Sequence, residues 1–583
     1  MTRAHQPTSF AVAVMLLLFI IAGGWIRADR LETIGLVGDE LEDMQLFRNL
    51  AKAPNPFMGA FAKTDALDQA RLPFYLTLGA MRATQGGALP TARAVSMVSA
   101  LLAIVLVFLL GRELFDAETG LVAAGCQAFS IYDIGFSRFG FTTSSSLFVA
   151  GFLLSLICWH RAITTRQLRW CWLTGIVIGL SMAAKLFGLF SLFILACWVW
   201  LWPRERVVRR WSLWPRTPTV RRLLRGNLLI LCNFAGLACF TLPPRFELAV
   251  FLLTTVLAVM LHWMLIRRER GRLSRESAAS IGLVLATCAV IYFFIGSPTH
   301  LDVQRLGEMF SWVPRWHNAS HVHTTLWDFI IILFVRLNAP FNILWVIALA
   351  ATWRRRQHRS HQLLLLAVGI PFLILSLSRW KVTWYLMMVF PICYVMIAAW
   401  LVRAAKAFRA RPVWVQAAAI TGLIASMGWY GQQMVSLHPY EEIDGYRLGR
   451  AFIGWHQPAF VTFEGIPAMV AWLDAHLPPA AEVACIPILH PVYNEYAFQH
   501  VLWYRQNRWI VYRAAPSIQE AIGAPFILTS LFSADLAGPL ESAGYQPVKT
   551  FWIKELAYGV LYANPQGAEQ LDLRGEASSL NGR

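Results

Sequence analysis

Asp39 and Glu40 stand side by side just after the first apolar run of the chain, Phe10 to Ile26. Glu42, Asp43, Asp65 and Asp68 follow in the same polar stretch. Paired carboxylates can take a proton from an attacking hydroxyl, or hold a hard divalent ion through their oxygens. The bland alternative is that they only solvate a loop. A second group is cationic and phenolic: Lys185 ends one apolar run, and Arg379, Lys381 and Tyr385 lie at the junction of two others. Asp133 and Arg138 form a third group. Carboxylates with cations at a membrane surface suit a reaction on a lipid phosphate. The cations hold the phosphate and a carboxylate accepts the proton. Lys185 also has a purely structural reading, as a helix-end residue that snorkels. His321 and His323 are candidate metal ligands, with plain loop histidines as the alternative.

The elements that must position these groups are membrane helices. Of the 583 residues, 57% are hydrophobic and only 14% charged, against about 45–50% apolar in a soluble domain. Apolar runs recur near the roughly 20 residues that cross about 30 Å of hydrocarbon. Lipid leaves a spanning backbone no partner but itself, so the runs are expected to be helices. About thirteen are expected: Phe10–Ile26, Thr91–Leu110, Gly120–Asp133, Ser144–Trp159, Trp170–Ala184, Leu186–Trp202, Asn227–Leu242, Phe246–Ile266, Ala278–Ile295, Leu326–Ala350, Gln362–Leu377, Thr383–Val402 and Val413–Val435. Leu72 to Met81 is apolar but too short to cross, and is expected to lie along the interface. No cleavage site is clear after the first run, which reads as an uncleaved helix.

Charge sets the orientation. The formal net charge is +18, and the arginines crowd into short loops that fall on one side when the runs alternate. The positive-inside rule makes that side the cytoplasm. The acidic loop 27–90, the loop 297–325, Lys185, Arg379 to Lys381 and the C-terminal region then lie outside, with the N-terminus inside. No basic surface interleaved with aromatics argues for nucleic acid. The 9 cysteines are scattered and form no CxxC pair.

Residues 1–435 are therefore expected to form a transmembrane domain, and 436–583 a small extracytoplasmic α/β domain. In the latter, Glu482–Ile488, Trp509–Tyr512, Pro525–Ser530, Val548–Phe551 and Tyr558–Tyr562 read as strands. Pro467–His476, Pro516–Ile522 and Leu536–Ala543 read as helices between them. The tail after Gln566 is expected to be disordered.

The motifs resemble a family. Asp39-Glu40 after a first helix is one. Asp68 before Leu72-Pro73-Phe74-Tyr75 is a second, and Thr91-Ala92-Arg93 leading to Leu110-Gly111-Arg112-Glu113-Leu114-Phe115 a third. Gly179-Leu180 leading to Lys185 is a fourth, and Lys381 with Tyr385 and Pro391 a fifth. Together they are similar to the membrane glycosyltransferases of the C-type fold that use polyprenyl-phosphate sugar donors. The closest likeness is to the group of protein O-mannosyltransferases and lipid A aminoarabinose transferases. One departure is plain: relatives often carry an Asp a few residues after the Arg of the turn between the third and fourth spans, where this chain has Thr143, and Asp133 precedes Arg138 instead.

The resemblance implies transfer of a hexosyl or pentosyl group, with inversion, to a lipid, glycan or protein acceptor at the outer face of the inner or plasma membrane. It implies Asp39 as general base, or as the group that orients the acceptor hydroxyl, with Glu40 in support, and Asp133 as a candidate second acid. Lys185, Lys381 and Tyr385 would receive the donor phosphate, with Arg379 and Arg138 beside them. A divalent ion near Asp39 and Asp68 is compatible with the family. Two rivals remain. A transporter or flippase would also be polytopic, but is expected to show repeated halves and helices broken near the midplane. A non-catalytic scaffold has no need of acids and cations on one face.

Overall fold

The computed structural model describes residues 9–31, 71–141, 145–165, 167–201, 328–337, 340–377, 383–409, 411–437, 466–486, 510–515, 517–529, 537–553 and 556–571, with the single positions 40, 43, 44, 47, 48, 51, 285, 287 and 288. The chain divides into two compact units, Met1–Arg27 with Leu46–Val435, and Ala28–Gln45 with Ser436–Arg583.

The first unit is helical. It holds α1 (Ser9–Ala28), α2 (Leu72–Thr84), α3 (Ala88–Leu114), α4 (Ala117–Ala128), α5 (Ile131–Ser137), α6 (Ser146–Thr165), α7 (Leu168–Ala184), α8 (Leu189–Leu201), α9 (Asp328–Leu337), α10 (Phe341–Arg354), α11 (Arg359–Leu377), α12 (Val389–Phe408) and α13 (Val413–Leu437). Among the described residues, five helices are long and apolar enough to cross a membrane: Phe10–Ala28, Ala88–Leu114, Ser146–Thr165, Arg359–Ser376 and Val389–Phe408. The chain is a polytopic α-helical membrane protein. The spans expected at Asn227–Leu242 and Phe246–Ile266, most of Ala278–Ile295, and the loop 297–325 lie outside the described residues.

Two expected spans are divided. Gly120–Asp133 is not one helix, because α4 stops at Ala128 and α5 starts anew at Ile131. The reason is Ser130, whose hydroxyl accepts from the Asp133 N–H at 3.2 Å and so caps a new helix. Leu326–Ala350 is split between α9 and α10, with Pro340 at the N-cap of α10. Proline has no N–H to give the preceding turn, and it disfavours helical backbone at the residue before it.

The spans pack through small residues. A Cβ on Gly111 would lie 2.8 Å from the Gly120 Cα, and one on Gly120 would run into the Phe108 carbonyl oxygen, so α3 and α4 touch backbone to backbone. A Cβ on Gly151 would come within 2.8 Å of Ser181, which brings α6 and α7 equally close. Val12, Leu16, Phe19 and Ile20 of α1 cover Ile104, Phe108, Ala124 and Ala128.

Polar contacts gather at the two ends of this bundle. At one end Glu113 accepts from Arg161 at 3.1 Å, Asp116 and Glu118 each hold Lys406 at 2.9 Å, and the Ser360 hydroxyl donates to the Leu114 carbonyl at 2.9 Å. At the other end Arg27 meets Asp133, and Lys185 meets Ser145. The 20 residues of α6 join the two ends, a reach of about 30 Å.

The second unit holds α14 (Ile466–His476), α15 (Ile518–Ala521), α16 (Ala537–Ser542) and α17 (Pro565–Gln570) around a five-stranded sheet. Its strands are β1 (Glu482–Cys485), β2 (Val511–Ala514), β3 (Phe526–Thr529), β4 (Gln546–Ile553) and β5 (Leu556–Ala563), in the order β2-β1-β3-β5-β4. β1 runs parallel to β2 and β3, while β5 is antiparallel to β3 and β4. β3 is buried along its whole length, as a central strand with both faces covered must be. The expected disorder after Gln566 is corrected for its first residues. α17 reaches Gln570, because Asn564 accepts from the Gly567 N–H at 2.8 Å and Pro565 presets the first turn.

Candidate active site

Two arrangements of charged groups stand at the Asp133 end of the first unit. In the first, Arg27 is wholly buried at the end of α1. Its Nη1 donates to the Gly23 carbonyl at 2.9 Å and the Ala128 carbonyl at 3.0 Å, and its Nη2 lies 2.5 Å from Asp133 Oδ2. One guanidinium therefore satisfies the C-terminal end of α4 and neutralises Asp133. Arg138 caps the end of α5 and is fully buried.

In the second arrangement, Lys185 ends α7 and donates from Nζ to Ser145 Oγ at 2.6 Å. A cation at this place also complements the helix dipole. The turn Leu186–Gly188 follows directly. A Cβ on Gly188 would lie 2.5 Å from the Met182 nitrogen, so only glycine lets the chain fold back here. That turn presents Phe187, whose ring meets Tyr385 edge-on at 4.7 Å. Tyr385 thus packs on a phenylalanine two residues beyond Lys185 in the chain. Ser145 has φ +56°, a left-handed backbone that serine seldom adopts. Such strain persists where surrounding structure fixes it, often at functional sites. Phe141 is close by in sequence, also with φ +51°, and stacks on Phe74 of α2 at 5.2 Å.

Of the acidic pair, Glu40 is described and buried, as is Asp43. Asp39, Asp68, Arg379, Lys381, His321, His323 and Thr143 lie outside the described residues. Among the described residues, no group of three His, Cys, Asp or Glu side chains is placed to hold a metal ion.

Three residues at this end escaped the sequence reading. Arg27 is one arginine among many beside a span, and its partner is 106 residues away. Ser145 sits in the run Thr142 to Ser146, whose hydroxyls the sequence does not tell apart. Phe187 looks like any apolar residue of a span.

No curated protein matches the chain in sequence. In solved structures, the chain is similar to ArnT from Cupriavidus metallidurans bound to undecaprenyl phosphate, at 14% identity and TM-score 0.47, covering 95% of this chain and 98% of that one. It is also similar to the oligosaccharyltransferase AglB from Archaeoglobus fulgidus in complex with an inhibitory peptide and a dolichol-phosphate, at 14% identity and TM-score 0.45, covering 96% and 74%. The sequence match is narrower and more specific. Residues 72–215, which include Asp133, Arg138 and Lys185, match the family described as dolichyl-phosphate-mannose-protein mannosyltransferase, and the chain accordingly resembles the C-type-fold membrane glycosyltransferases of that group.

Proposed function

We propose that the protein is a membrane glycosyltransferase that moves a sugar, with inversion, from a polyprenyl-phosphate donor to an acceptor at the extracytoplasmic face. The observation that carries this reading is the family match over 72–215, the stretch that bears Lys185. The link from Lys185 through Phe187 to Tyr385 supports it. An ammonium and a phenol suit the oxygens of a phosphate that gains charge as it leaves.

In this reading Asp39 takes the proton from the acceptor hydroxyl, and Glu40 supports it. The donor phosphate leaves toward Lys185, Lys381 and Tyr385, with Arg379 nearby. Arg27 and Asp133 fix the end of α1, where the chain enters the acidic loop. Asp39 and Asp68 offer oxygen ligands for a divalent ion, with His321 and His323 as further candidates, and the proton transfer stands without one. Residues 1–435 carry the transfer, and 436–583 contribute to acceptor choice on the same side of the membrane. The acceptor is a lipid, a glycan or a protein.

The test is mass spectrometry of the lipid retained by the detergent-purified chain. A retained polyprenyl phosphate supports the reading, and its loss in Lys185→Ala ties it to this end of the bundle. A chain that never retains or binds added polyprenyl phosphate contradicts it. A transporter of such a lipid would also retain it, and is separated by turnover: it leaves the sugar–phosphate bond intact.

A further inference from the structure

The break between α4 and α5 takes backbone groups out of helical pairing inside the bundle, and three other helices supply side chains to it. Arg27 of α1 donates to the Ala128 carbonyl at 3.0 Å. The Ile131 N–H donates to the Tyr430 hydroxyl of α13 at 2.9 Å. The Ser130 hydroxyl, which accepts from the Asp133 N–H, lies 2.7 Å from the Tyr394 hydroxyl of α12. Ser130 is fully buried and Tyr394 is only 1% exposed. Non-helical backbone at membrane depth persists where protein satisfies it in this way. α12 also reaches the second arrangement. Its first residue, Val389, closely follows the turn Thr383–Leu386, which carries Tyr385, and the Tyr385 ring meets Phe187. One residue into α12, Phe390 stacks on Tyr132 at 4.2 Å, and Tyr394 comes one helical turn later. The first turns of α12 therefore connect the segment that carries Tyr385 to the segment that carries Asp133. At this end of the bundle, the hydrogen bond in that connection is the one between Tyr394 and Ser130.

We propose that Tyr394 is a positioning residue for the transfer: through Ser130 it holds the Asp133 segment, and with it the Arg27–Asp133 pair, in register with the segment that carries Tyr385. The inference rests on the transfer reading and adds to it a residue that touches neither sugar nor phosphate. Tyr394→Phe removes only the hydroxyl. The ring keeps its edge-on contact with Phe341 of α10 at 5.8 Å, and Tyr430 keeps its own with the same ring at 4.9 Å. The Ser130 hydroxyl then loses its tie to α12. Transfer needs the reacting groups aligned, and a misplacement of about 1 Å can cost about 10²-fold in rate. Donor binding draws on Lys185 and Tyr385, whose contacts with Ser145 and Phe187 do not run through Tyr394. The loss therefore belongs in kcat and not in KM for the donor.

The experiment uses the full chain in detergent and measures release of polyprenyl phosphate from polyprenyl-phosphate mannose and polyprenyl-phosphate aminoarabinose, with a membrane extract as the source of acceptor. It reads kcat, KM for the donor and Tm. In Tyr394→Phe, kcat is expected to fall about tenfold or more, with KM within about twofold of wild type. Ser130→Ala is expected to lower kcat at least as far. The double variant is expected to lose no more than Ser130→Ala alone, because both changes remove one link. Gly120→Ala, a packing change between α3 and α4, is expected to lower Tm and keep kcat. Wild-type kcat in Tyr394→Phe overturns the proposal. So do losses that multiply in the double variant, which would mean separate roles, and an equal loss of kcat in Gly120→Ala, which would mean general loosening. Should Tyr394→Phe not fold, Ser130→Ala is read in its place, and wild-type kcat there overturns the proposal. A wild type that turns over neither donor contradicts the transfer reading and this inference with it. An active wild type with an equally active Tyr394→Phe overturns this inference alone.

Discussion

Arg27 Nη2 lies 2.5 Å from Asp133 Oδ2, and the same guanidinium holds the carbonyl of Ala128 at 3.0 Å. The end of α1 and the end of α4 are thereby tied side by side, which requires the two helices to run in the same direction. Removing one partner leaves the other charge buried. Asp133→Ala or Arg27→Ala is expected to cost about 3–5 kcal/mol, read as loss of monodisperse protein and a lower Tm. Arg27→Met/Asp133→Leu is expected to cost less than either single change. If the single variants unfold like wild type, the pair does not tie the helices.

Lys185 and Ser145 make a separate prediction at the same end. Lys185→Ala is expected to weaken polyprenyl-phosphate binding by about tenfold or more, since a charge-assisted hydrogen bond contributes about 1.5–3 kcal/mol. Ser145→Ala is expected to weaken it less, because the hydroxyl acts only through the ammonium. Lys185→Arg is expected to restore part of the affinity. Binding that Ser145→Ala loses and Lys185→Ala keeps would remove Lys185 from the site.

Gly120 tests the packing of α3 on α4. Its added methyl would meet the Phe108 carbonyl oxygen, which is backbone and yields little. Gly120→Ala is expected to destabilise by about 1–3 kcal/mol. Gly79→Ala in α2, where nothing lies within 4 Å, is expected to be neutral or slightly stabilising. Equal Tm values for the two variants would contradict the close approach.

Asp116 gives a pH dependence. Burial alone would raise its carboxyl, but hydrogen bonds from Lys406 and Thr119 outweigh that and hold it below the ordinary value. A carboxyl depressed in the fold adds stability above its unfolded pKa of about 4, and loses it as pH falls through the folded value. The same oxygen pair caps α4 by accepting from the Thr119 N–H at 2.8 Å. Asp116→Ala is expected to cost about 0.5–2 kcal/mol at neutral pH. The gap between wild type and variant is expected to narrow below about pH 4. A gap that widens on acidification would show that the fold does not hold the Asp116 carboxyl below its ordinary value.

The legible and illegible parts of the chain divide along physical lines. Apolar length reads out spans such as α3 and α12, because hydrocarbon imposes it. Alternation reads out β1 to β5, but their order does not follow from it, since β1 pairs with β2 and β3 across long gaps. The break at Ser130 was signalled by Ser130-Ile131-Tyr132-Asp133, which fits a capping box, yet the surrounding apolar run masked it. Lys185 was visible as a charge ending a span. Its partner Ser145 and the Arg27–Asp133 pair were not, because local pattern says nothing about which helices touch.

In the proposed function, a carboxylate at Asp39 drives sugar transfer from a polyprenyl-phosphate donor. The most direct measurement is turnover of such a donor by the detergent-purified chain, comparing wild type with Asp39→Asn, which keeps the shape and removes the charge. Turnover is expected to fall by about 10²–10⁴-fold, the usual contribution of a general base, with Tm unchanged, and to fall less in Glu40→Gln. Wild-type turnover in Asp39→Asn, with loss in Glu40→Gln or Asp133→Asn, would contradict the assignment. Full activity in all three would leave the acids as a solvated loop.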